Sequence, residues 1–293
     1  MAPTRVLVLG SSGRIGTMLR RCWATDTSAS QGDAIEFVFQ TRQAQPDRPD
    51  DLLWDITEDP PDALRLGGAY DCLIVLSGIV PKPDADFTLN TAIATASLRA
   101  AARLGIASVF LASTSAVYGT YQDEPFREDH TPRPVTDYGR SKYNMETTAR
   151  AQARALGLKL CCLRIGNVSG ADALLLTGAA LAAGETILLD RFHDGGTPVR
   201  SYMGPRTFAR ILRSLIHNRA DVPEVLNIAA PKPVSMLALA EAAQMPVTLR
   251  PVDAQDHQYV TLDCQALAAL HAFEPLASDP SEIVRQWQDL RGA

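Results

Sequence analysis

The stretch Val6-Leu-Val-Leu-Gly-Ser-Ser-Gly-Arg-Ile-Gly16 decides the fold class of this chain. Its first four residues are a short, continuously apolar run, which is typical of a strand buried on both faces of a parallel sheet. Glycines follow at positions 10, 13 and 16, and Ile15–Ala24 can continue as a helix. The first glycine permits a tight turn, and the third permits close packing of helix on strand. The stretch therefore predicts a strand–turn–helix unit.

The turn of this unit is suited to a pyrophosphate. Gly13 lets the backbone approach an anion closely. The start of the helix adds free N–H groups and the positive end of the helix dipole. We therefore expect the turn and the first helical residues to hold a dinucleotide. The expected contacts are Gly10, Ser12, Gly13, Arg14, Ile15 and Gly16.

Apolar runs and helical segments alternate along the first half of the chain. The predicted strands are Val6–Leu9, Ile35–Phe39, Leu52–Asp55, Cys72–Leu76, Ser108–Ala112 and Lys159–Ile165. The predicted helices are Ile15–Ala24, Thr91–Leu104 and Asp137–Leu156. This order predicts an α/β fold with a Rossmann-type doubly wound parallel sheet. Right-handed crossovers then gather the loops after the strands along one edge of the sheet.

The alternation weakens after Asn167. We expect one helix and a short extended piece within residues 171–190, a helix at Thr207–Asn218 and a strand at Val225–Ala229. We interpret this half as a smaller, partly interleaved α/β substrate-binding domain. The predicted dinucleotide-binding domain comprises residues 1–166 and 196–230, and the substrate-binding domain comprises residues 167–195 and 231–293.

The composition excludes several classes of protein. The chain has 293 residues, of which 46% are hydrophobic, and a formal net charge of -5, so a broad nucleic-acid-binding face is not expected. No apolar stretch reaches the roughly 18 residues of a membrane span. The five cysteines lack C-x-x-C spacing and the histidines lack helical metal-ligand spacing, which argues against a disulfide framework or a metal site. We expect a cytoplasmic protein with a small-molecule substrate and no membrane partner, and leave a homodimer open.

The end of the second predicted strand bears on the type of dinucleotide. An acidic residue there would hold the ribose 2′-hydroxyl of NAD. The sequence is Phe39-Gln-Thr-Arg42, without an acid, and Arg42 could meet a 2′-phosphate instead. This pattern favours NADP over NAD; the alternative is that Arg42 is a solvated loop residue. Asp55, at the end of the third predicted strand, could accept from the adenine amino group or cap the next turn.

Tyr138 and Lys142 are four residues apart on a predicted helix, so their side chains are neighbours on one face. Only four of the 28 basic residues are lysines, which gives such a pair few chances to arise by accident. A nearby ammonium lowers the pKa of a phenol, so this tyrosine could exchange a proton with a substrate hydroxyl near neutral pH. The hydroxyls of Ser113-Thr-Ser115, after the fifth strand, could bond the same oxygen or cap the following turn.

With these residues the sequence resembles the extended short-chain dehydrogenase/reductase family, in its NAD(P)-dependent epimerase/dehydratase branch. The similarity runs from Val6 to about Phe273, nearly the whole chain. The motifs that carry it are Gly10/Gly13/Gly16, Asn90, Ser113–Gly119, Tyr138/Lys142, Leu163–Val168, Val199–Tyr202, Val225–Ala229 and Arg250–Asp253.

The resemblance implies a role for each matching residue. Tyr138 would be the general acid and base, Lys142 would hold the nicotinamide ribose and lower the tyrosine pKa, and Thr114 would orient the substrate oxygen. Ser113 and Ser115 are second choices for the last role. Further cofactor contacts would be Arg42, Asp55, Ile56, Leu76, Ser77, Gly78, Asn90 and Lys142. Substrate contacts would be Ser115, Asn167, Arg200 and Arg250, the two arginines falling where nucleotide-sugar enzymes of this branch grip a diphosphate.

The expected function is NAD(P)-dependent hydride transfer at a hydroxyl or keto carbon of a sugar or nucleotide sugar, as in an epimerase. One alternative is an NADP-dependent reductase or dehydrogenase of a non-nucleotide carbonyl or sugar acid. Another is a non-catalytic NAD(P)-binding redox sensor. Ser201 and Gly204-Pro-Arg206 depart from the family pattern after Arg200, which leaves the nucleotide half of the substrate open. Ser115 and Ala116 stand where a 4,6-dehydratase would need an acid pair, so that reaction is disfavoured.

Overall fold

The computed structural model describes residues 3–26, 34–120, 124–252 and 258–291. The chain divides into two compact units. The first comprises Met1–Val117, Thr136–Leu163 and Arg219–Val225, and the second comprises Tyr118–Val135, Arg164–Asn218 and Leu226–Ala293. The domain limits given above stay a prediction.

The structure contains strands and helices in the alternating order that the sequence predicts for its first half. The strands are β1 (Thr4–Leu9), β2 (Ile35–Thr41), β3 (Leu52–Leu53), β4 (Cys72–Val75), β5 (Ser108–Thr114), β6 (Lys159–Ile165), β7 (Asn167–Val168), β8 (Ile187–Arg191), β9 (Val199–Arg200), β10 (Tyr202–Met203), β11 (Val225–Ile228), β12 (Val234–Ser235), β13 (Val247–Pro251) and β14 (Tyr259–Val260). The helices are α1 (Arg14–Thr25), α2 (Asp62–Leu66), α3 (Leu89–Arg103), α4 (Asp137–Ala155), α5 (Ala173–Ala179), α6 (Pro205–His217), α7 (Met236–Ala242), α8 (Gln265–Ala268) and α9 (Pro280–Arg291). A short 3-10 turn, Ser115–Val117, follows β5.

Seven strands form one sheet in the order β11-β6-β5-β4-β1-β2-β3. β1 lies in the middle and pairs in parallel with β2 on one side and with β4 on the other. β5 pairs in parallel with β4, and β3 with β2. The chain thus builds outward from β1 in both directions, and the predicted doubly wound parallel sheet is confirmed.

The first unit is held together by side chains that the sheet shares with its helices. All four residues of β4 are buried, as are Val6–Leu9 of β1. The helices α3 and α4 pack against each other and present small residues to this core, including Ala94, Ala149 and Ala153. Because alanine side chains are short, the helix backbones lie close to the sheet, and larger residues such as Met145 fill the gaps.

The second unit contains small sheets and short helices. β12, β9 and β14 form a three-stranded sheet, while β10 pairs with β7 and β13 with β8. Its core is Leu174, Leu175, Ile187, Leu189, Tyr202, Val234, Leu239, Ala240, Ile283, Val284 and Trp287. The expected helix and extended piece within residues 171–190 correspond to α5 and the start of β8.

The structure can also be compared with the sequence predictions for the third strand, the cysteines and a membrane span. The third strand ends at Leu53 rather than at Asp55, because Asp55 turns the chain by accepting hydrogen bonds from Thr57. The five cysteines are buried and carry free thiols. Among the described residues, no helix combines the length and the apolar character needed to cross a bilayer.

We predict that Gly16→Ala destabilises the first unit. A Cβ at Gly16 would lie 2.5 Å from the carbonyl oxygen of Gly10 and 2.7 Å from Ser11, both backbone atoms that cannot turn aside. The free energy of unfolding should fall by about 1–3 kcal/mol, the usual cost of overpacking. Denaturant titration measures this value. The control is Gly13→Ala, whose added Cβ has its nearest contact at 3.3 Å and should cost less; equal losses would contradict the prediction.

Candidate active site

The glycine turn between β1 and α1 is fixed by its neighbours. Gly10 has a left-handed φ of +81°, and a Cβ there would lie 2.5 Å from Oγ of Ser77, in the loop after β4. The N–H of Gly10 donates to Oε1 of Gln40 at the end of β2. The turn is therefore enclosed by the loops of both neighbouring strands, and only glycine fits its first position.

The start of α1 is open to an anion. Gly13 is the N-cap residue, and no side chain caps this end of the helix. The first turn also contains no acidic residue. The first N–H groups of a helix lack partners within the helix and carry partial positive charge. Arg14, Ile15 and Gly16 thus form a helix start of the kind that binds phosphate.

A cavity of about 480 Å³ opens beside this turn in the first unit. Nine of the predicted cofactor residues line it: Gly10, Ser12, Gly13, Arg42, Asp55, Ile56, Leu76, Ser77 and Gly78. The other lining residues are Gln40, Thr57, Ile79, Leu89 and Ile93. None of these five is among the site residues predicted from the sequence. Leu89 and Ile93 could have been found from their spacing, because residues four apart share one face of a helix.

Gln40 joins the glycine turn to the strand ends beside it. Its side chain is 1% exposed. Oε1 accepts from the N–H of Gly10 at 2.9 Å, and Nε2 donates to the carbonyl of Trp54. Both ends of the amide are therefore used inside the protein. Gln40 stands at the strand end where many dinucleotide-binding proteins of this fold carry an acid, and here its side chain supports the turn.

Asp55 caps the turn that follows β3, as one of the two sequence interpretations predicts. Its Oδ1 accepts from the N–H of Thr57 at 3.0 Å and from the hydroxyl of the same residue at 2.7 Å. These hydrogen bonds, chiefly the backbone one, lower the pKa of the Asp55 carboxyl, and Arg42 lowers it further. The carboxylate is thus charged at neutral pH and lies on the cavity wall.

Asn90 and Lys142 lie behind the wall of the cavity. A Cβ added at Gly78 would be 3.0 Å from Oδ1 of Asn90 and 3.7 Å from Nζ of Lys142. Asn90 is buried; its Oδ1 accepts from the N–H of Ile79, and its Nδ2 donates to Oγ of Ser141 on α4. Asn90 therefore ties the loop after β4 to the helix that carries the Tyr138/Lys142 pair.

Tyr138 and Thr114 meet at the start of α4. The hydroxyl of Thr114 is close enough to act on the pKa of the Tyr138 phenol, and the Tyr138 ring lies 5.8 Å from that of Phe87. Thr114 also accepts from the N–H of Ala116 at 3.2 Å, so it caps the following turn as well. Ser113, the second choice, instead donates to Glu146, and Ser115 begins the 3-10 turn. The structure thus brings Thr114, of the three hydroxyl residues, into contact with the tyrosine.

The pKa of Tyr138 differs from the sequence expectation. A lysine one turn away was expected to lower it, but in the chain alone burial raises it above its usual value, and the hydroxyl of Thr114 lowers it by less. The reason is the direction of Lys142, whose Nζ donates to the carbonyl of Ala112 on β5 at 2.7 Å. Burial lowers the pKa of Lys142 to about 8, with Glu146 acting in the opposite direction.

The other predicted substrate residues belong to the second unit. Asn167 lies on β7 opposite Tyr202, and its N–H donates to the carbonyl of Ser201. Nη1 of Arg200 donates to the carbonyls of Val199 and Gln258. Arg250, on β13, is exposed and forms an ion pair with Asp190 on β8. The two arginines lie on strands of different sheets. Throughout the ranges that the structure describes, no His, Cys, Asp or Glu side chains cluster as a metal site would require.

Comparison with known proteins gives the family. The model of the NAD dependent epimerase/dehydratase family matches residues 6–229. The chain belongs to this family. The resemblance found in the sequence is thereby confirmed, and the matched residues include the glycine turn, Thr114, Tyr138 and Lys142.

Curated members of this family match parts of the chain. A UDP-glucose 4-epimerase of Azospirillum brasilense is 33% identical over 186 residues, which are 61% of this chain and 53% of that protein. One from Lacticaseibacillus casei is 26% identical over 236 residues, 70% of this chain and 71% of that protein. A third, from Streptococcus mutans, is 30% identical over 55% of its length. The chain thus spans about half the length of two of these relatives.

Solved structures share the fold over nearly the whole chain. The UDP-glucose 4-epimerase of Thermus thermophilus, in complex with NAD, gives a TM-score of 0.74 at 21% identity, covering 99% of this chain and 100% of that one. The UDP-glucose 4-epimerase of Brucella ovis, also with NAD, gives 0.78 at 21% identity, covering 97% of both chains.

We predict that Gln40→Ala weakens the glycine turn. The change leaves the N–H of Gly10 without its acceptor and the carbonyl of the buried Trp54 without its donor. The free energy of unfolding should fall by about 1–3 kcal/mol. Thermal or denaturant unfolding measures it. Gln43→Ala, at an exposed position three residues on, should leave stability within about 0.5 kcal/mol. An unaffected Gln40→Ala protein would contradict this account.

Proposed function

We propose that this protein is an NAD(P)-dependent enzyme that moves a hydride to and from a hydroxyl-bearing carbon of a nucleotide sugar, as an epimerase does. The observation that carries the proposal is the placement of Tyr138 and Lys142 one turn apart on α4, with Thr114 at the end of β5 close enough to lower the pKa of the phenol. A phenol and a hydroxyl that meet in this way can hold one substrate oxygen between them. Family membership and relatives named UDP-glucose 4-epimerase support the same reaction class.

The cavity of the first unit fits a dinucleotide. Backbone N–H groups at the start of α1 would hold the pyrophosphate, because no side chain caps them and no acid repels an anion there. Arg42, Asp55 and Thr57 would meet the adenosine half, and Leu89 and Ile93 offer an apolar wall. When bound, NAD(P) would supply a hydride acceptor and, in its reduced form, a hydride donor.

Tyr138 would move the proton that accompanies the hydride. Burial keeps its phenol protonated at neutral pH in the chain alone, which suits donation to a keto oxygen. Removal of a proton from a substrate hydroxyl requires a phenolate, and the hydroxyl of Thr114 favours that form because it lowers the pKa of the phenol. Thr114 would hold the substrate oxygen beside the phenol. Lys142, behind Gly78, would meet the ribose next to the nicotinamide.

A second candidate function is favoured by the two arginines of the second unit. Arg200 already donates to two backbone carbonyls, and Arg250 is paired with Asp190. Arginines engaged in this way have less capacity to grip a diphosphate, which favours the alternative of an NADP-dependent reductase or dehydrogenase of a non-nucleotide carbonyl or sugar acid. Mass spectrometry of small molecules retained by the purified protein distinguishes the two functions. A retained sugar nucleotide supports the epimerase. A retained carbonyl compound without any sugar nucleotide supports the alternative.

We predict that Tyr138→Phe abolishes turnover and leaves cofactor affinity within about twofold. The substitution removes only the hydroxyl that would transfer the proton, and general acid–base catalysis contributes about 10²–10⁴-fold. Steady-state kinetics and a fluorescence titration with the dinucleotide measure the two effects. Tyr143→Phe, which removes a hydroxyl from the same helix, is the matched control and should keep full activity. Activity retained by Tyr138→Phe would rule out the mechanism, whereas cofactor binding without any turnover by the unchanged protein would favour the redox-sensor alternative.

We also propose that NADP binds more tightly than NAD. Arg42 lines the cavity at the end of β2, and no acid stands there to receive a 2′-hydroxyl. The solved structures of similar proteins contain NAD, so a comparison of the NADP and NAD affinities of this protein tests the proposal directly.

We predict that Arg42→Ala weakens NADP binding about tenfold and NAD binding little, because only NADP carries the 2′-phosphate that a guanidinium would pair with. Calorimetric titration with each dinucleotide measures both affinities. Arg127→Ala, which removes an exposed arginine from the second unit, controls for net charge. Tighter binding of NAD than of NADP by the unchanged protein would overturn the preference.

A further inference from the structure

A glutamate that the reaction outlined above does not use lies in the core of the first unit. Glu146 is 1% exposed and stands four residues after Lys142, so both project from the same face of α4. Its neighbours on that face are apolar, among them Met145 and Ala149. A buried carboxylate costs free energy unless a partner stabilises it. Packing alone therefore does not explain a glutamate at this position.

The carboxylate has a partner on the strand that carries Thr114. The hydroxyl of Ser113 donates to Oε1 of Glu146 at 2.5 Å, and both groups are buried. Ala112, the residue before Ser113, accepts from Nζ of Lys142 at 2.7 Å. Two successive residues of β5 thus each bind a charged side chain of α4. These bonds fix the position of the helix along the strand, and with it the position of Lys142.

The ammonium of Lys142 is also nearly inaccessible to water, with 5% of the residue exposed. Burial alone would favour its neutral form, and the carboxylate of Glu146 opposes this effect. A second ionisable group that faces Lys142 is the thiol of Cys162 on β6. Met145 adds only a weak acceptor, its sulfur at 3.4 Å from Nζ.

We propose that Glu146 is a positioning residue: anchored to β5 through Ser113, its carboxylate keeps the buried Lys142 charged and in place beside the cofactor cavity. The use of that charge rests on the proposed function, whereas the coupling of the two side chains does not. Without the carboxylate, Lys142 would lose its proton at a lower pH, and a smaller fraction of the protein would carry the charge that holds a ribose at neutral pH.

The test is a pH titration of Lys142 in the chain without cofactor. Because the sequence has only four lysines, labelling lysine side chains with carbon-13 gives four NMR signals, and Lys142→Arg identifies the relevant one. Glu146→Gln keeps an oxygen that can accept from Ser113 but removes the charge. We expect the pKa of Lys142 to fall by about one unit in this variant, at the low end of the usual effect of an opposite charge. The signals of Lys82, Lys159 and Lys232 should not move.

Glu224→Gln is the matched control. It removes a carboxylate that also binds α4, through Arg150 and Arg154, and it should leave the pKa of Lys142 unchanged. An unchanged Lys142 pKa in folded Glu146→Gln would overturn the proposal. If that variant does not fold, Glu146→Asp replaces it. Its carboxylate is one methylene shorter and therefore lies further from Nζ, so the pKa of Lys142 must fall there as well, by less. An unchanged Lys142 pKa in that variant would overturn the proposal equally.

A kinetic measurement distinguishes this proposal from the proposed function. In an active enzyme, Glu146→Gln should shift the alkaline limb of kcat/KM to lower pH by the same amount as the NMR titration, whereas a loss of packing alone would lower kcat/KM at every pH. An NMR shift without any turnover by the unchanged protein would support the coupling and contradict the proposed function.

Discussion

The burial of the central strands on both faces is the constraint from which the rest of the first unit follows. Val6–Leu9 of β1 and all four residues of β4 have almost no contact with water. A sheet without an exposed face must be covered by helices on both sides, so each strand is followed by a crossover to the next parallel strand. The glycine turn, the loop after β4 and the end of β5 therefore open at one edge, although Gly10 and Thr114 are far apart in the sequence.

The helix α4, which packs on β5, places two ionisable side chains in the core of the first unit. The helix contacts the sheet with alanines and Met145, yet the same face carries Lys142 and Glu146. Both charges are stabilised by β5, one through a backbone carbonyl and one through Ser113. A buried pair of this kind contributes little to stability compared with apolar side chains. Its value lies in the fixed position and controlled charge of the groups.

The sequence predicts the parts of the structure that depend on local pattern. Strand β6 has the predicted limits, and the glycine turn has the predicted geometry, because a continuous apolar run and glycine spacing reflect short-range constraints. Contacts between distant segments could not be predicted. The two hydrogen bonds of Gln40 join β2 to residues 10 and 54, and no local pattern marks them.

The difference between local sequence patterns and contacts of distant segments also explains which features of the site could be predicted. The Tyr138/Lys142 spacing is a helical pattern, and the helix is present. The direction of the tyrosine pKa depends instead on how deeply the ring is buried and on where Nζ of Lys142 points, and both follow from tertiary packing. Leu89 and Ile93 line the cavity because α3 begins beside the loop after β4, an arrangement set by the sheet order.

The double engagement of Gln40 has an evolutionary consequence. A glutamate codon differs from a glutamine codon by one base, so an acid that could select NAD is within reach of a single mutation at this position. Glutamate, however, would retain an acceptor for Gly10 while losing the N–H that serves the carbonyl of Trp54. An acid at position 40 would therefore come at the expense of a hydrogen bond that supports the glycine turn. A lineage that gains a glutamate here must also acquire another donor for the carbonyl of Trp54.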